Sequence, residues 1–224
     1  MKKQCLRSII FLALTLSLPS LAADVCGSLE RSDGFGPYDY RDSEAKLKKL
    51  PIVERYHFTE NVKQFRKEND ILPGNHLDFT LRAFPNHAPA LQLMVTLAER
   101  DKTTQPHGAR YTVECYFDRA IRFRPEDVSM HLLYGIFLAK KGQPDKALEA
   151  YATAEKLQPN NSNLHYNRGL LYFDQKKYDK ALEEAHLAYE LGFPLAGLKN
   201  KLQKAGKWQE KPAEAEKEVR TESK

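Results

Sequence analysis

An all-α fold, a solenoid of stacked helical hairpins, is predicted by three observations. Asp145-Lys146-Ala147-Leu148-Glu149 recurs letter for letter as Asp179-Lys180-Ala181-Leu182-Glu183, an offset of 34 residues. His131, Gly135, Ala154 and Leu157 find His165, Gly169, Ala188 and Leu191 at that same offset. The period therefore belongs to the whole stretch 128–193, and a period of this length with glycine, alanine and proline at fixed phases is that of a repeated helix-turn-helix unit. Around it, apolar residues recur at spacings of three and four, the pattern of helices with one buried face.

At the N-terminus, Lys2, Lys3 and Arg7 precede an apolar run over residues 9–18, and Pro19-Ser20-Leu21-Ala22-Ala23 follows. A basic start, an apolar run of about ten residues and a small-residue end read as a secretory signal peptide, residues 1–23, cleaved after Ala22 or Ala23. A bilayer span needs about 20 apolar residues, so no stable membrane insertion is expected after cleavage. Cys26 follows Val25, not a small residue, which argues against lipidation. The expected product is a periplasmic or secreted bacterial protein. Its formal charge of +5 falls to +2 without Lys2, Lys3 and Arg7, too slight a basicity to argue for nucleic acid.

With Cys5 gone, Cys26 and Cys115 are the remaining cysteines. An oxidising compartment favours a bridge between them; a redox-active pair or two free thiols are the rival readings, and neither cysteine has a Cys-x-x-Cys context. Residues 24–84 form an irregular, partly helical segment expected to pack on the repeats. Gly27, Gly34, Gly36 and Pro37 forbid a long element at its start, while Phe35, Tyr38 and Tyr40 favour packing over disorder. Short helices are expected on either side of Pro51, after a Thr59 cap, and over 77–84, with Pro73-Gly74-Asn75 as a break.

Residues 85–125 form a divergent helix pair. Asn86 or His87 opens its first helix, with Leu91, Met94, Val95, Leu97 and Ala98 on its apolar face, and 110–123 forms the second, burying Val113, Phe117, Ala120 and Ile121. Phe117, Ala120 and Pro125 hold the phases of Tyr151, Ala154 and Pro159. Pro85 and Pro125 stand 40 apart instead of 34, and the surplus belongs in the loop 103–108. Two regular repeats follow, 128–161 and 162–193. From Pro194, Leu195, Leu198, Leu202 and Ala205 mark a capping helix, 194–208, that covers the last apolar face, and Trp208 folds back on the core. Residues 209–224 read as a disordered tail.

On Gly135 with Ala147, Gly169 with Ala181, and Ala154 and Ala188, the chain resembles the tetratricopeptide-repeat (TPR) family, strongly over 128–191 and more loosely over 85–208. The resemblance implies a right-handed superhelical TPR solenoid whose small residues let antiparallel helices touch. Gly36-Pro37-Tyr38-Asp39-Tyr40-Arg41, Leu81-Arg82-Ala83-Phe84-Pro85 and Cys115-Tyr116-Phe117 resemble stretches of functionally uncharacterised exported bacterial TPR proteins, a likeness that implies no activity.

In that family the first helix of each repeat lines the concave face. Here this implies a peptide-binding groove of Ser129, Leu132, Ile136, Ala139 and Lys140 from one repeat. Asn163, Tyr166, Asn167, Leu170 and Phe173 come from the next. Apolar anchors would supply affinity and Asn163 or Asn167 would bond a peptide backbone. The other reading is a groove filled by the N-terminal segment. Leu132 and Ile136 stand where chaperone-binding relatives carry a carboxylate clamp, a departure from that ligand mode.

His131 and His165 sit one repeat apart, too far for a shared ion, at a phase where the family prefers a packing residue; they read as structural, and no metal site is expected. Gly34-Phe35-Gly36 leads into Pro37 and cradles no phosphate, and no Gly-x-Ser-x-Gly elbow occurs. No enzyme and no cofactor are expected. The function this implies is a monomeric exported adaptor that binds a peptide segment of another envelope protein during assembly, secretion or maturation. The alternatives are a self-associating scaffold and, further off, a thiol-active protein using Cys26 and Cys115.

Overall fold

The computed structural model describes residues 25–30 and 34–211. The signal-peptide reading over 1–23 and the tail beyond 211 lie outside the described residues. Among those described are eleven helices and one isolated bridge, Glu68 to Ile71. The first four helices make the N-terminal module: α1 (Ser43–Lys48), α2 (Leu50–His57), α3 (Glu60–Lys63) and α4 (Pro73–Ala83). The Asp42 carboxylate caps α1 by accepting from the Ala45 amide, and the Thr59 hydroxyl accepts from Val62 to cap α3. Pro51 lies in the first turn of α2, where a missing N–H removes no helical bond.

Pro73-Gly74-Asn75 starts α4 instead of breaking the chain. Pro73 takes the same first-turn role as Pro51, and Gly74 is needed because a Cβ there would collide with the His107 carbonyl of a neighbouring loop. The reading as a breaker failed because proline and glycine are tolerated together at a helix start that lies under a crossing chain.

The divergent pair is α5 (Ala88–Asp101) and α6 (Val113–Phe123). The His87 imidazole caps α5 and the Thr112 hydroxyl caps α6, so Arg110 and Tyr111 precede the helix that the sequence suggested would hold them. The regular pairs are α7 (Val128–Lys140) with α8 (Pro144–Leu157) and α9 (Ser162–Asp174) with α10 (Tyr178–Glu190), each packed along its length. The cap α11 is Gly197–Lys204, shorter than expected from Pro194. It buries Leu198 and Leu202 fully, whereas Leu195 stays 61% exposed. Trp208 does fold back, its ring 4.8 Å from His186.

The main core runs from Phe58 and Val62 through Leu77, Leu81, Leu91, Met94 and Phe117 to Met130, Tyr151 and Leu164. Burying each such side chain is worth about 1.5–3 kcal/mol, so the N-terminal module and the repeats share one core. The segment before α1 is fastened to this body at two places. Cys26 is bonded to Cys115 across 89 residues, and the buried Arg119 guanidinium donates to the carbonyls of Cys26, Gly27 and Ser28 at 3.0, 3.3 and 2.7 Å. Further along, Tyr38 N–H donates to the Ala83 carbonyl, and buried Asn86 accepts from Tyr40 N–H while donating to Asp39 and Asp127. Asp39 also accepts from Arg41 and Arg124.

Candidate functional site

The site is built where the divergent pair meets the first regular repeat. On α5, Gln92, Val95 and Thr96 fall at spacings that place them on one helix face. On α7, Leu133, Ile136, Phe137 and Lys140 do the same. These two stripes, with Phe117 of α6 between them, line a cleft of about 320 Å³. The rings of Phe117 and Phe137, 5.1 Å apart and both buried, form its floor. Lys140 Nζ reaches Glu99 Oε1 at 3.1 Å and closes one end. At the rim the Thr96 hydroxyl donates to the Gln92 carbonyl.

The sequence explains why this place is open. α7 carries only His131 and Lys140 as potentially charged residues and is apolar around its circumference, as a fully buried helix would be. Its Met130, Phe137 and Leu138 are buried, but Leu132, Leu133 and Ile136 remain partly exposed. Tyr134 packs its ring 5.0 Å from Phe117; burial, then the charges of Glu114 and Asp118, push its phenol pKa up, so it serves as a neutral packing group.

Of the ten groove residues expected from the sequence, Ile136 and Lys140 line this cleft, while Ala139 packs against the core. Leu132 packs against the core, and Ser129 is exposed near the start of α7. The second-repeat residues serve other contacts. Tyr166 stacks on Phe193 at 3.9 Å with its hydroxyl against Gly197. Leu170 and Phe173 pack on the cluster that contains Leu198 and Leu202 of the cap, and Lys201 lies over the Phe173 ring. Asn167 donates from Nδ2 to the Asn163 carbonyl of its own helix, and Asn163 is exposed. Tyr166 and Phe173 are thus cap contacts, and truncating them would loosen α11. The cap covers them because it stands where the first helix of a further repeat would stand. Gln92, Thr96, Leu133 and Phe137 were not singled out from the sequence, and Val95 and Phe117 were read there as core and not as cleft lining. The three-and-four spacing on α5 was the available signal.

Among the described residues, every one lining this cleft belongs to α5, α6 or α7 and none to the N-terminal segment. The cysteines are bonded to each other, and Cys115 is buried. His131 and His165 each donate from Nε2 to the carbonyl of a proline six residues back, Pro125 at 2.7 Å and Pro159 at 3.0 Å. They hold the inter-repeat turns. His165 also meets Glu184, which Arg168 bridges to Glu155; the Arg168 hydrogen bonds hold the Glu155 carboxyl below its ordinary range. Among the described residues no group of three His, Cys, Asp or Glu is placed to hold a metal ion, and no helix is long and apolar enough to cross a membrane.

Two helix pairs standing 34 residues apart, α7 with α8 and α9 with α10, have the arrangement of tetratricopeptide repeats. Residues 135–176 match the family model described as TPR repeat. The chain is 29% identical over 114 residues to human Protein O-mannosyl-transferase TMTC3, an alignment of 51% of this chain and 12% of that protein. It is 37% identical over 60 residues to the Hsp70-Hsp90 organising protein of Plasmodium falciparum (isolate 3D7), 27% of this chain and 11% of that one. The chain thus spans about an eighth or less of the length of these curated relatives. Among solved structures, the crystal structure of MamA is similar with a TM-score of 0.46 and 18% identity, over 66% of this chain and 81% of that one.

Proposed function

We propose that this protein is a non-enzymatic adaptor that holds a segment of another protein against the concave side of its repeats, in the space between α5 and α7. One observation carries the reading: an apolar cleft between two first helices that no other described part of the chain covers. Stacked helical repeats present such concave surfaces to partners, and a groove between two helices suits an amphipathic helix or an extended segment. The relative named as an Hsp70-Hsp90 organising protein agrees with a role in protein assembly.

The compartment belongs to the same proposal. A basic and apolar N-terminus, and a bonded cysteine pair that closes a separation of 89 residues, fit an exported protein of an oxidising compartment. The partner is then another protein of the cell envelope. Affinity capture from a periplasmic extract, with the parent protein beside Ile136→Asp, tests this. A protein retained by the parent and lost from the variant is expected; identical captures, with the variant correctly folded, would refute the adaptor reading.

A further inference from the structure

The outward side of α1 and α2 carries exposed apolar groups and exposed cations together. Lys49, itself in the right-handed helical region at φ −112° and ψ −42°, joins the two helices without a loop. Their inner side buries Ala45, Leu50 and Val53 in one cluster with Phe84. On the outer side of α2, Pro51 and Arg55 are neighbours at a spacing of four, and so are Ile52 and Tyr56. Leu47 lies about one and a half turns before Ile52. Leu47 is 77% exposed, Tyr56 60% and Ile52 50%. Of the eight large apolar side chains exposed among the described residues, three fall between positions 47 and 56. They form a cluster, unlike the singly scattered apolar surface of folded proteins in general.

The same stretch holds Lys46, Lys48, Lys49 and Arg55, and the nearby acids do not cancel them. Glu44 meets Lys48 at 2.9 Å with both side chains largely in water, a contact worth little. Asp42 caps α1, Glu54 turns to the buried His87 at 3.3 Å, and Glu60 pairs with Lys63. Lys46 lies over the Tyr40 ring at 5.2 Å and Lys49 over Tyr38 at 5.7 Å, contacts that fix the charges in place and leave them positive. Arg55 makes no ion pair among the described residues.

These two features select the occupant. A soluble polyanion would meet the charges but leave Leu47, Ile52 and Tyr56 in water. An apolar protein surface would cover those three and strip water from the cations without supplying counter-charge. The interface of an anionic bilayer supplies both, phosphates for lysine and arginine and the edge of the acyl region for leucine and isoleucine. Tyrosine suits the headgroup level, where its ring and its hydroxyl find different surroundings.

We infer that the outer face of α1 and α2 is a peripheral docking surface for a bilayer that carries anionic phospholipids. Leu47, Ile52 and Tyr56 enter the headgroup region, and Lys46, Lys48, Lys49 and Arg55 meet the phosphates. This goes beyond the adaptor reading and does not depend on it, because the cleft is built by other helices.

The test uses the processed chain, Asp24 to Lys224, which holds the whole described core. It is floated with vesicles of phosphatidylcholine alone, or of phosphatidylcholine with about 30% phosphatidylglycerol. Flotation is expected with the anionic vesicles only, and it should be largely lost at about 1 M salt, where the Debye length is about 3 Å. Lys48→Glu with Arg55→Glu, and separately Leu47→Ser with Ile52→Ser, should each lower partitioning about ten-fold or more. Lys201→Glu with Lys204→Glu makes the same change of net charge on the exposed face of the cap and should lower it less than about two-fold. All six substituted side chains are exposed, and the lipid and salt dependence of the parent protein needs none of the variants. No flotation with anionic vesicles, equal flotation with neutral ones, indifference to either pair on α1 and α2, or an equal loss from the cap pair would overturn the proposal. So would a dimer in sedimentation that Leu47→Ser with Ile52→Ser dissociates, since the occupant would then be a second copy.

Discussion

Leu198 of the cap lies directly over Gly169, so close that a Cβ built on the glycine would stand 2.5 Å from Leu198 Cδ2. One repeat earlier, over Gly135, that space belongs to the Tyr151 ring. Thirty-four residues after Tyr151 the chain has Ala185, too small to reach across, and the cap supplies the missing side chain. The last repeat is therefore completed from outside its own 34 residues.

Gly169→Ala should overpack this contact and cost about 1–3 kcal/mol. Leu198→Ala should open a cavity and cost about 2–5 kcal/mol. Because both act on one space, the double variant should be less destabilised than the sum of the two. Urea unfolding of all four proteins measures this, and strict additivity would show that the contact is not made.

The repeats were legible in the sequence because their register is written twice. Gly135 and Gly169, Ala147 and Ala181, and the two DKALE stretches all lie where the period requires. The site was legible only in part. Family phases pointed to Ile136 and Lys140, which line the cleft, and also to Tyr166, Leu170 and Phe173, which pack against the cap. No periodic argument shows which of two equivalent faces a non-repeating element will cover. Val95 and Phe117 were readable as core, but no periodic signal marks the space that opens between them.

His87 couples the fold to pH. Its side chain is fully buried; Nδ1 accepts from the Ala90 amide, so Nε2 carries the proton toward Glu54. Burial lowers its pKa, with Glu54 pulling the other way. The unfolded chain thus takes up a proton near pH 6.5 that the folded chain refuses, and stability falls as pH drops below about 6.5. His87→Asn keeps a capping oxygen and should flatten unfolding free energy between about pH 5 and 7. An unchanged slope would remove His87 as the cause.

Asp39 acts in a lower range. Burial disfavours its charge, but hydrogen bonds from Arg41, Asn86 and Arg124 outweigh that and hold its carboxyl well below the ordinary value. Its contribution is complete above the unfolded pKa of about 3.9 and is lost as pH falls below it. Asp39→Asn should therefore destabilise the protein at pH 7 and matter progressively less below about pH 4. Acid titrations of both proteins, followed by circular dichroism, decide this; parallel curves would contradict it.

The Cys26–Cys115 bond closes 89 residues, for which chain entropy gives about 4–5 kcal/mol. Cys26→Ser with Cys115→Ser should approach that loss in denaturant unfolding while the helical content stays constant, because α6 is capped by Thr112 and packed independently of the bridge. A loss under about 1 kcal/mol would mean that the Arg119 contacts hold the segment alone.

The central claim is that a partner docks between α5 and α7. A photo-crosslinking residue placed at Thr96, on the cleft rim, and separately at Thr153, on the outer helix α8, tests it inside living cells. One discrete crosslinked protein is expected from position 96 and none from position 153. Crosslinks from position 153 alone, or the same products from both, would contradict it.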